Sequence, residues 1–242
     1  MDKKKKARLD KCVAHVFDVT RNQAFSLIKN GRVSVDDKII CDPAFKISLE
    51  QKLCLDDEYE AEVAEGFATR VFMLNKPSDY VCADRDKRHL VAVSLFNAEP
   101  RYESLHCAGR LDIDTTGLLI VSDDGNLIHE ITSPKKDIPK VYLAVTDDDI
   151  PLSAIKAFAS GLKHKEESRR YKSAILEILE PRLGRVTVTE GRFHEVKRLF
   201  ECVGLNVLEL KRVAIGALSL DEDLQEGEYR ALSAEEIEKL FA

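Results

Sequence analysis

The sequence predicts an α+β fold in two parts: a small first domain of short helices and strands, then a larger domain whose mixed, largely antiparallel sheet is flanked by helices. Apolar residues recur at helical spacing near the start of the chain and change to short β-branched runs from Thr69 onward. The strands of the second part do not alternate strictly with helices, which disfavours a doubly wound parallel sheet. Between the parts, Asp57 to Gly66 holds five acids and no base, a composition with little to bury that reads as a linker. The expected organisation is a first domain over 1–58, an acidic linker over 59–68 and a second domain over 69–242.

In the first part, Leu9, Val13, Val16 and Phe17 fall on one helical face, and Thr20-Arg21-Asn22-Gln23 forms a capping box that opens a second helix. Ala24, Leu27 and Ile28 give that helix its apolar stripe. Asn30-Gly31 supplies a left-handed stop before the strand Arg32-Val33-Ser34-Val35, and Asp36-Asp37-Lys38 turns the chain back. The whole chain has a formal net charge of -6, yet residues 1 to 56 carry 12 Lys plus Arg against 8 Asp plus Glu. Phosphate binding depends on local cations that displace condensed counterions, so this distribution outweighs the sum. The Lys3 to Lys6 run adds unspecific attraction at most.

In the second part, Val71-Phe72-Met73-Leu74 reads as a buried strand closed by Asn75-Lys76-Pro77, with Lys76 at the mouth of the following loop. Leu118-Leu119-Ile120-Val121 reads as a fully buried strand between Gly117 and Asp123-Asp124-Gly125, and its entry loop presents Asp112. Further strands are expected over 141–145, 174–179, 186–189 and 207–213. Helices are expected over 89–96, 126–131, 152–158 and 193–202, with Ser233-Ala234-Glu235-Glu236 capping a last one. Asp114, Asp123 and Asp124 read as turn and cap residues without chemistry. Taken alone, Asp112 would read the same way.

Several function classes lack their defining residues. No G-x-x-x-x-G-K-[ST] loop, G-x-G-x-x-G fingerprint or G-x-S-x-G elbow occurs, which disfavours an NTPase, a dehydrogenase and a serine hydrolase. The six cysteines are scattered, with no C-x-x-C pair and no histidine at metal-ligand spacing. They are expected to be reduced thiols. No apolar run approaches the roughly 20 residues of a membrane span. The expectation is a cytoplasmic protein with no membrane contact.

Three motifs, in order, carry a family resemblance. Leu74-Asn75-Lys76-Pro77 comes first. Gly109-Arg110-Leu111-Asp112 follows, with Thr115 and Gly117-Leu118. Glu190-Gly191-Arg192-Phe193-His194-Glu195-Val196-Lys197-Arg198-Leu199-Phe200 comes last. Together they resemble the RNA pseudouridine synthases, over nearly all of the chain. The first part, with Arg8-Leu9-Asp10-Lys11 at its front, resembles the S4 RNA-binding module (α-L). The resemblance is strongest to the members that act on small-subunit rRNA. It implies 16S rRNA or a partly assembled small ribosomal subunit as partner, a monomer, and neither cofactor nor metal. A member acting on 23S rRNA and a non-catalytic RNA-binding assembly factor are the alternatives.

The same resemblance assigns roles. Asp112 would be the nucleophile, or the base that starts glycal formation; an ordinary aspartate is already ionised at neutral pH. Lys197 stands at the basic position that the family pairs with it, and Tyr142 matches the aromatic that stacks on the target base. Arg110 would fill the gap left by the flipped base. Lys76, Arg192 and Arg198 are expected contacts to the RNA backbone, as is His194. In the S4-like part, Arg21, Lys29 and Arg32 would face phosphates. Two departures from the family pattern stand out: Ser78-Asp79 replaces a usual glycine two positions after Pro77, and Glu195 replaces a favoured glutamine.

Overall fold

The computed structural model describes residues 6–48, 50–62 and 69–242, with side chains left undescribed at 59–62. The basic positions Lys3 to Lys5 and residues 63–68 of the expected linker lie outside that set. Contacts divide the chain into two compact units that meet between Thr69 and Arg70.

In the first unit, β1 (Lys6–Arg8) leads into α1 (Leu9–Val16) and α2 (Arg21–Lys29). The capping box forms as read: the Thr20 hydroxyl accepts from Gln23 N, and the Gln23 side chain accepts from Thr20 N. Gly31 then takes φ +69°, the left-handed stop. Next come β2 (Val33–Val35), β3 (Lys38–Ile39), β4 (Lys46–Ser48), β5 (Lys52–Leu55) and β6 (Tyr59–Glu62). Strands β3-β2-β5-β6 form an antiparallel sheet, and β4 pairs with β1. Leu9, Val13, Ala24, Ile28, Val33 and Leu53 close one core.

The sequence places Tyr59–Glu62 in a linker, and the structure corrects this. The segment pairs antiparallel with β5 as an edge strand, Leu53 opposite Ala61. Edge pairing is satisfied by backbone hydrogen bonds and tolerates charged residues, so the lack of apolar content did not exclude a strand.

The second unit begins with β7 (Val71–Lys76), β8 (Tyr80–Val81), β9 (Leu90–Val91), β10 (His106–Cys107) and β11 (Thr116–Ser122). Then come α3 (Gly125–Thr132), β12 (Lys140–Thr146), α4 (Ser153–Ala159), β13 (Ile175–Glu180), β14 (Leu183–Val188) and α5 (Glu195–Glu201). The unit ends with β15 (Val207–Ile215), β16 (Leu218–Ser219), β17 (Tyr229–Ala231) and α6 (Ala234–Lys239). The sheet order is β13-β14-β12-β15-β11-β7-β17, with β10 added on β11 and β16 on β15.

All neighbouring pairs on that path are antiparallel except β11 and β15, which run parallel through only Thr116–Lys211 and Gly117–Arg212. This short join links two antiparallel halves. Leu119 and Val121 face one core, with Phe72, Leu74 and Ala144; Leu118 and Ile120 face the other, with Val71 and Met73. Burial on both faces stabilises β11 by about 1.5–3 kcal/mol for each large apolar side chain, which explains its unbroken apolar run.

The helix expected over 89–96 is not formed. Leu90–Val91 pairs with Tyr80–Val81, and Ala92–Phe96 is a 3₁₀ turn that buries Val93 and Phe96. A spacing of three fits either kind of helix, and β-branched Val91 and Val93 favour the shorter element. The helix expected over 193–202 starts only at Glu195, because His194 is left-handed with φ +52°.

Candidate active site

Asp112 sits in the loop before β11, four positions ahead of the parallel join at Thr116. Thr115 N donates to Asp112 O at 3.1 Å and tightens the turn. Beneath it lies Lys76, fully buried, whose ammonium donates to the carbonyls of Pro77 at 2.8 Å, Ile113 at 3.3 Å and Thr115 at 2.9 Å. Burial holds its pKa below the ordinary lysine value, against the pull of the nearby acids. The expectation of Lys76 at a loop mouth facing RNA is therefore overturned: all three of its donors are spent on backbone carbonyls, two of them in the Asp112 loop. Asp79 N donates to Ile113 O at 2.9 Å, and Asp79 has φ +68°. The position of the usual glycine thus keeps the left-handed conformation, which aspartate tolerates.

The Asp112 carboxylate faces an imidazole and an ammonium from the segment at the start of α5. His194 Nε2 lies 3.5 Å from one oxygen and Lys197 Nζ 3.9 Å from the other. Lys197 does not spend its shortest bonds on Asp112. It donates to both oxygens of Asp114, at 2.6 and 2.7 Å. Burial pushes the Asp114 carboxyl up, but the bonds and charge of Lys197 prevail and hold it below its ordinary value. Reading Asp114 as a turn residue without chemistry missed this. The i, i+2 spacing of Asp112 and Asp114 was the available signal, since one lysine from a distant helix can reach both.

Asp112 lines a cavity of about 300 Å³ together with Arg110, Lys140, Tyr142, His194 and Arg212. That volume is at the small end of ligand pockets. Tyr142 is buried in β12, and a register shift beside it sets its ring opposite Arg212. Arg110 stands exposed at the rim. Arg212, which the sequence reading did not single out, is 2 % exposed and donates through Nε to Leu118 O at 2.7 Å. A Cβ on Gly117, where φ is +97°, would stand 2.2 Å from the Arg212 carbonyl oxygen. Only glycine permits this backbone approach between the two strands.

The model of the family "RNA pseudouridylate synthase" matches residues 70–202, and that of the S4 domain matches residues 7–53. The chain is 43% identical over 230 residues to the ribosomal small subunit pseudouridine synthase A of Escherichia coli, across 95% of this chain and 98% of that protein. It is 41% identical over 233 residues to the protein of the same name from Haemophilus influenzae, across 96% and 99%. The chain belongs to the RNA pseudouridine synthase family. A crystal structure described as a pseudouridylate synthase superposes with a TM-score of 0.68 at 39% identity, covering 96% of this chain and 99% of that one. As a pseudouridine synthase the chain is an isomerase, built with an S4 domain.

Two cations expected to meet RNA in this synthase are already engaged. Arg192 pairs with Glu167, donates to the carbonyls of Arg169 and Arg170 at 3.3 Å, and lies 4.4 Å over the Tyr171 ring. Arg198 pairs with the same Glu167 and with Glu166 at 3.0 Å. Both arginines brace the 166–171 loop against α5, and their charge is largely neutralised there. Glu195 is buried, and one of its oxygens accepts from the amides of Gly191 at 2.7 Å and Arg192 at 2.8 Å. It caps the turn before α5 and does not reach Arg198.

In the S4 unit, Arg21 lies 3.4 Å from Asp10, which also holds Arg8 at 2.8 Å. Arg32 is paired with Asp56. Lys29 lies 6.0 Å over the ring of Phe25, which is 48% exposed. Arg21, Phe25 and Lys29 are spaced four apart on α2 and so share one face. An exposed aromatic between two cations is a feature of this face that the sequence reading did not single out. Its signal, Phe25 interrupting the polar side of α2, was present.

Proposed function

We propose that this protein isomerises one uridine of small-subunit rRNA to pseudouridine, with Asp112 as the attacking carboxylate. Support for the substrate comes from the names of its relatives, with which it aligns over nearly its full length. Support for the mechanism comes chiefly from one observation: Asp112 opens onto a base-sized cavity walled by the ring of Tyr142, with Lys197 and His194 close to its oxygens.

A flipped uridine enters this cavity with its ring against Tyr142, while Arg110 at the rim fills the vacated stack and offsets part of the few kcal/mol of unstacking. The Asp112 carboxylate attacks ribose C1′ as the bond to uracil N1 breaks, or first takes a ribose proton to form the glycal. The detached base turns over in place and its C5 bonds to C1′, displacing the Asp112 carboxylate or, from the glycal, with return of the ribose proton from Asp112. The C5 proton leaves, and N1 gains one. Lys197 holds Asp112 and Asp114 in register from one side, so the attacking oxygen is positioned before substrate arrives.

The face of α2 with Arg21, Phe25 and Lys29 binds the RNA by charge and stacking and delivers the target loop. On this reading the protein works in the cytoplasm as a monomer.

The test is site-by-site pseudouridine mapping of 16S and 23S rRNA from cells lacking the protein, complemented with wild type or Asp112→Asn. Loss of one 16S site restored only by wild type is expected. Loss in 23S moves the target, and restoration by Asp112→Asn removes that residue from the chemistry.

A further inference from the structure

Arg212 is a buried cation that the mechanism above leaves unused. Among the described residues no carboxylate pairs with it. Its Nε donor is met by Leu118 O at 2.7 Å, Nη1 lies 3.5 Å from the Tyr142 hydroxyl, and Nη2 has no partner at all. The same side chain lines the cavity that Asp112 and Tyr142 share. Lys140 also lines that cavity. Burial, and then the like charge of Arg212, hold the Lys140 pKa below its ordinary value. Two cations therefore line one small space, and one of them has a buried donor without a partner. A buried charge with no carboxylate within pairing distance is costly to the fold, and the cavity that Arg212 lines is where an anion of the substrate would lie.

The reaction supplies one. We propose that Arg212 is a further catalytic residue of this synthase, whose guanidinium takes up the negative charge of the uracil ring while it is detached from the ribose. The inference rests on the isomerase reading of the same cavity. When the C1′–N1 bond breaks, its electron pair stays with N1 and spreads onto the ring carbonyl oxygens. A guanidinium stabilises this anion without gaining or losing a proton, and N1 is protonated only after C5 has bonded to C1′. A half turn of the ring about its N3–C6 axis exchanges N1 with C5, and with them the two carbonyls. A fixed donor that meets one carbonyl oxygen before rotation therefore meets the other after it. A rigid, planar guanidinium anchored through Nε suits that task better than a mobile ammonium.

The experiment compares uridine with 5-fluorouridine in the same small-subunit rRNA transcript, under single turnover, following loss of the parent nucleoside at the target site. Fluorine stabilises the ring anion by itself, so the detached base needs less help. Arg212→Gln is expected to slow the uridine reaction about 10²- to 10³-fold, the effect of removing a donor from a developing anion. The same variant is expected to slow the 5-fluorouridine reaction less than about tenfold, with RNA affinity within a few fold of wild type. Rates are scaled to the folded fraction by circular dichroism. Arg212→Lys, which keeps the charge and can still reach Leu118 O, replaces it if Arg212→Gln does not fold, and the same ordering of the two substrates is expected. Equal slowing on both substrates would overturn the assignment and leave Arg212 a structural residue. Wild-type protein inert on both would instead overturn the isomerase reading, before Arg212 is tested.

Discussion

Lys76 and Arg212 are both fully buried cations beside the Asp112 loop, and their donors tell them apart. Every hydrogen of the Lys76 ammonium is met by a backbone carbonyl, two of them in the turn that carries Asp112. Arg212 spends Nε on Leu118 and leaves Nη2, buried beside the cavity, without a partner. Burial alone does not separate a structural charge from a functional one. The account of its bonds does: a closed set belongs to the fold, and an open one waits for something the fold does not provide.

The comparison breaks first at Lys76. Lys76→Met removes the donor to three carbonyls and is expected to cost about 3 kcal/mol in urea unfolding, with activity lost through the loop. The same change at Arg212 should shift stability less than a third as much, because it also removes an unpaired buried charge. Equal losses would erase the distinction.

Next in size are the exposed cations of the S4 unit, of which Arg21 faces the buried acid Asp10 and Lys29 the ring of Phe25. Arg21→Ala with Lys29→Ala is expected to weaken RNA binding about tenfold and to lower the magnitude of the salt slope by about 1.5. An unchanged slope removes both from the interface. Asp114→Asn loosens the grip of Lys197 and should lower kcat about fivefold, about 1 kcal/mol, with KM unchanged. A rise in KM alone would move Asp114 from positioning to binding.

Smallest is the buried anion, Glu195. Burial raises its carboxyl above the ordinary 4.5, against the amides of Arg192 and Gly191, which lower it. Below that value the group is neutral in the folded and unfolded chain, and its contribution is fully present. As pH rises through the raised folded value, a buried carboxyl must ionise and stability is lost. Glu195→Gln keeps the acceptor for both amides without the charge, and it should be about 0.5 kcal/mol more stable at pH 7 and indistinguishable at pH 4. A larger advantage at pH 4 would reverse the sign argued here.

Much of this was legible in the sequence. The capping boxes at Thr20 and Ser233, the doubly buried β11 and the loop position of Asp112 follow from local pattern alone. What escaped is set by partners far along the chain. Arg192 and Arg198 look like free cations until Glu167 comes to meet them, 25 and 31 residues away. Lys76 looks like a surface lysine until Ile113 and Thr115 fold over it. Arg212 follows Lys211 in a strand of mixed polarity, and only the pairing of β15 with β11 and β12 turns it inward. No local periodicity records such contacts. The acidic edge strand β6 escaped for a different reason, since backbone pairing leaves little trace in side-chain composition.

The parallel join of β11 and β15 also bears on how the protein is made. Leu118 and Arg212 meet at a sequence separation of 94, so a nascent polypeptide can complete the β7–β11 pair early and still hold no finished cavity. Lys197 and then Arg212 arrive only when most of the chain has left the ribosome. Pairing over so long a span carries a loop-closure cost that local contacts must offset first. The enzyme therefore acquires its chemistry last, all at once, and a chain that stops before β15 is an RNA-binding module attached to an incomplete pocket.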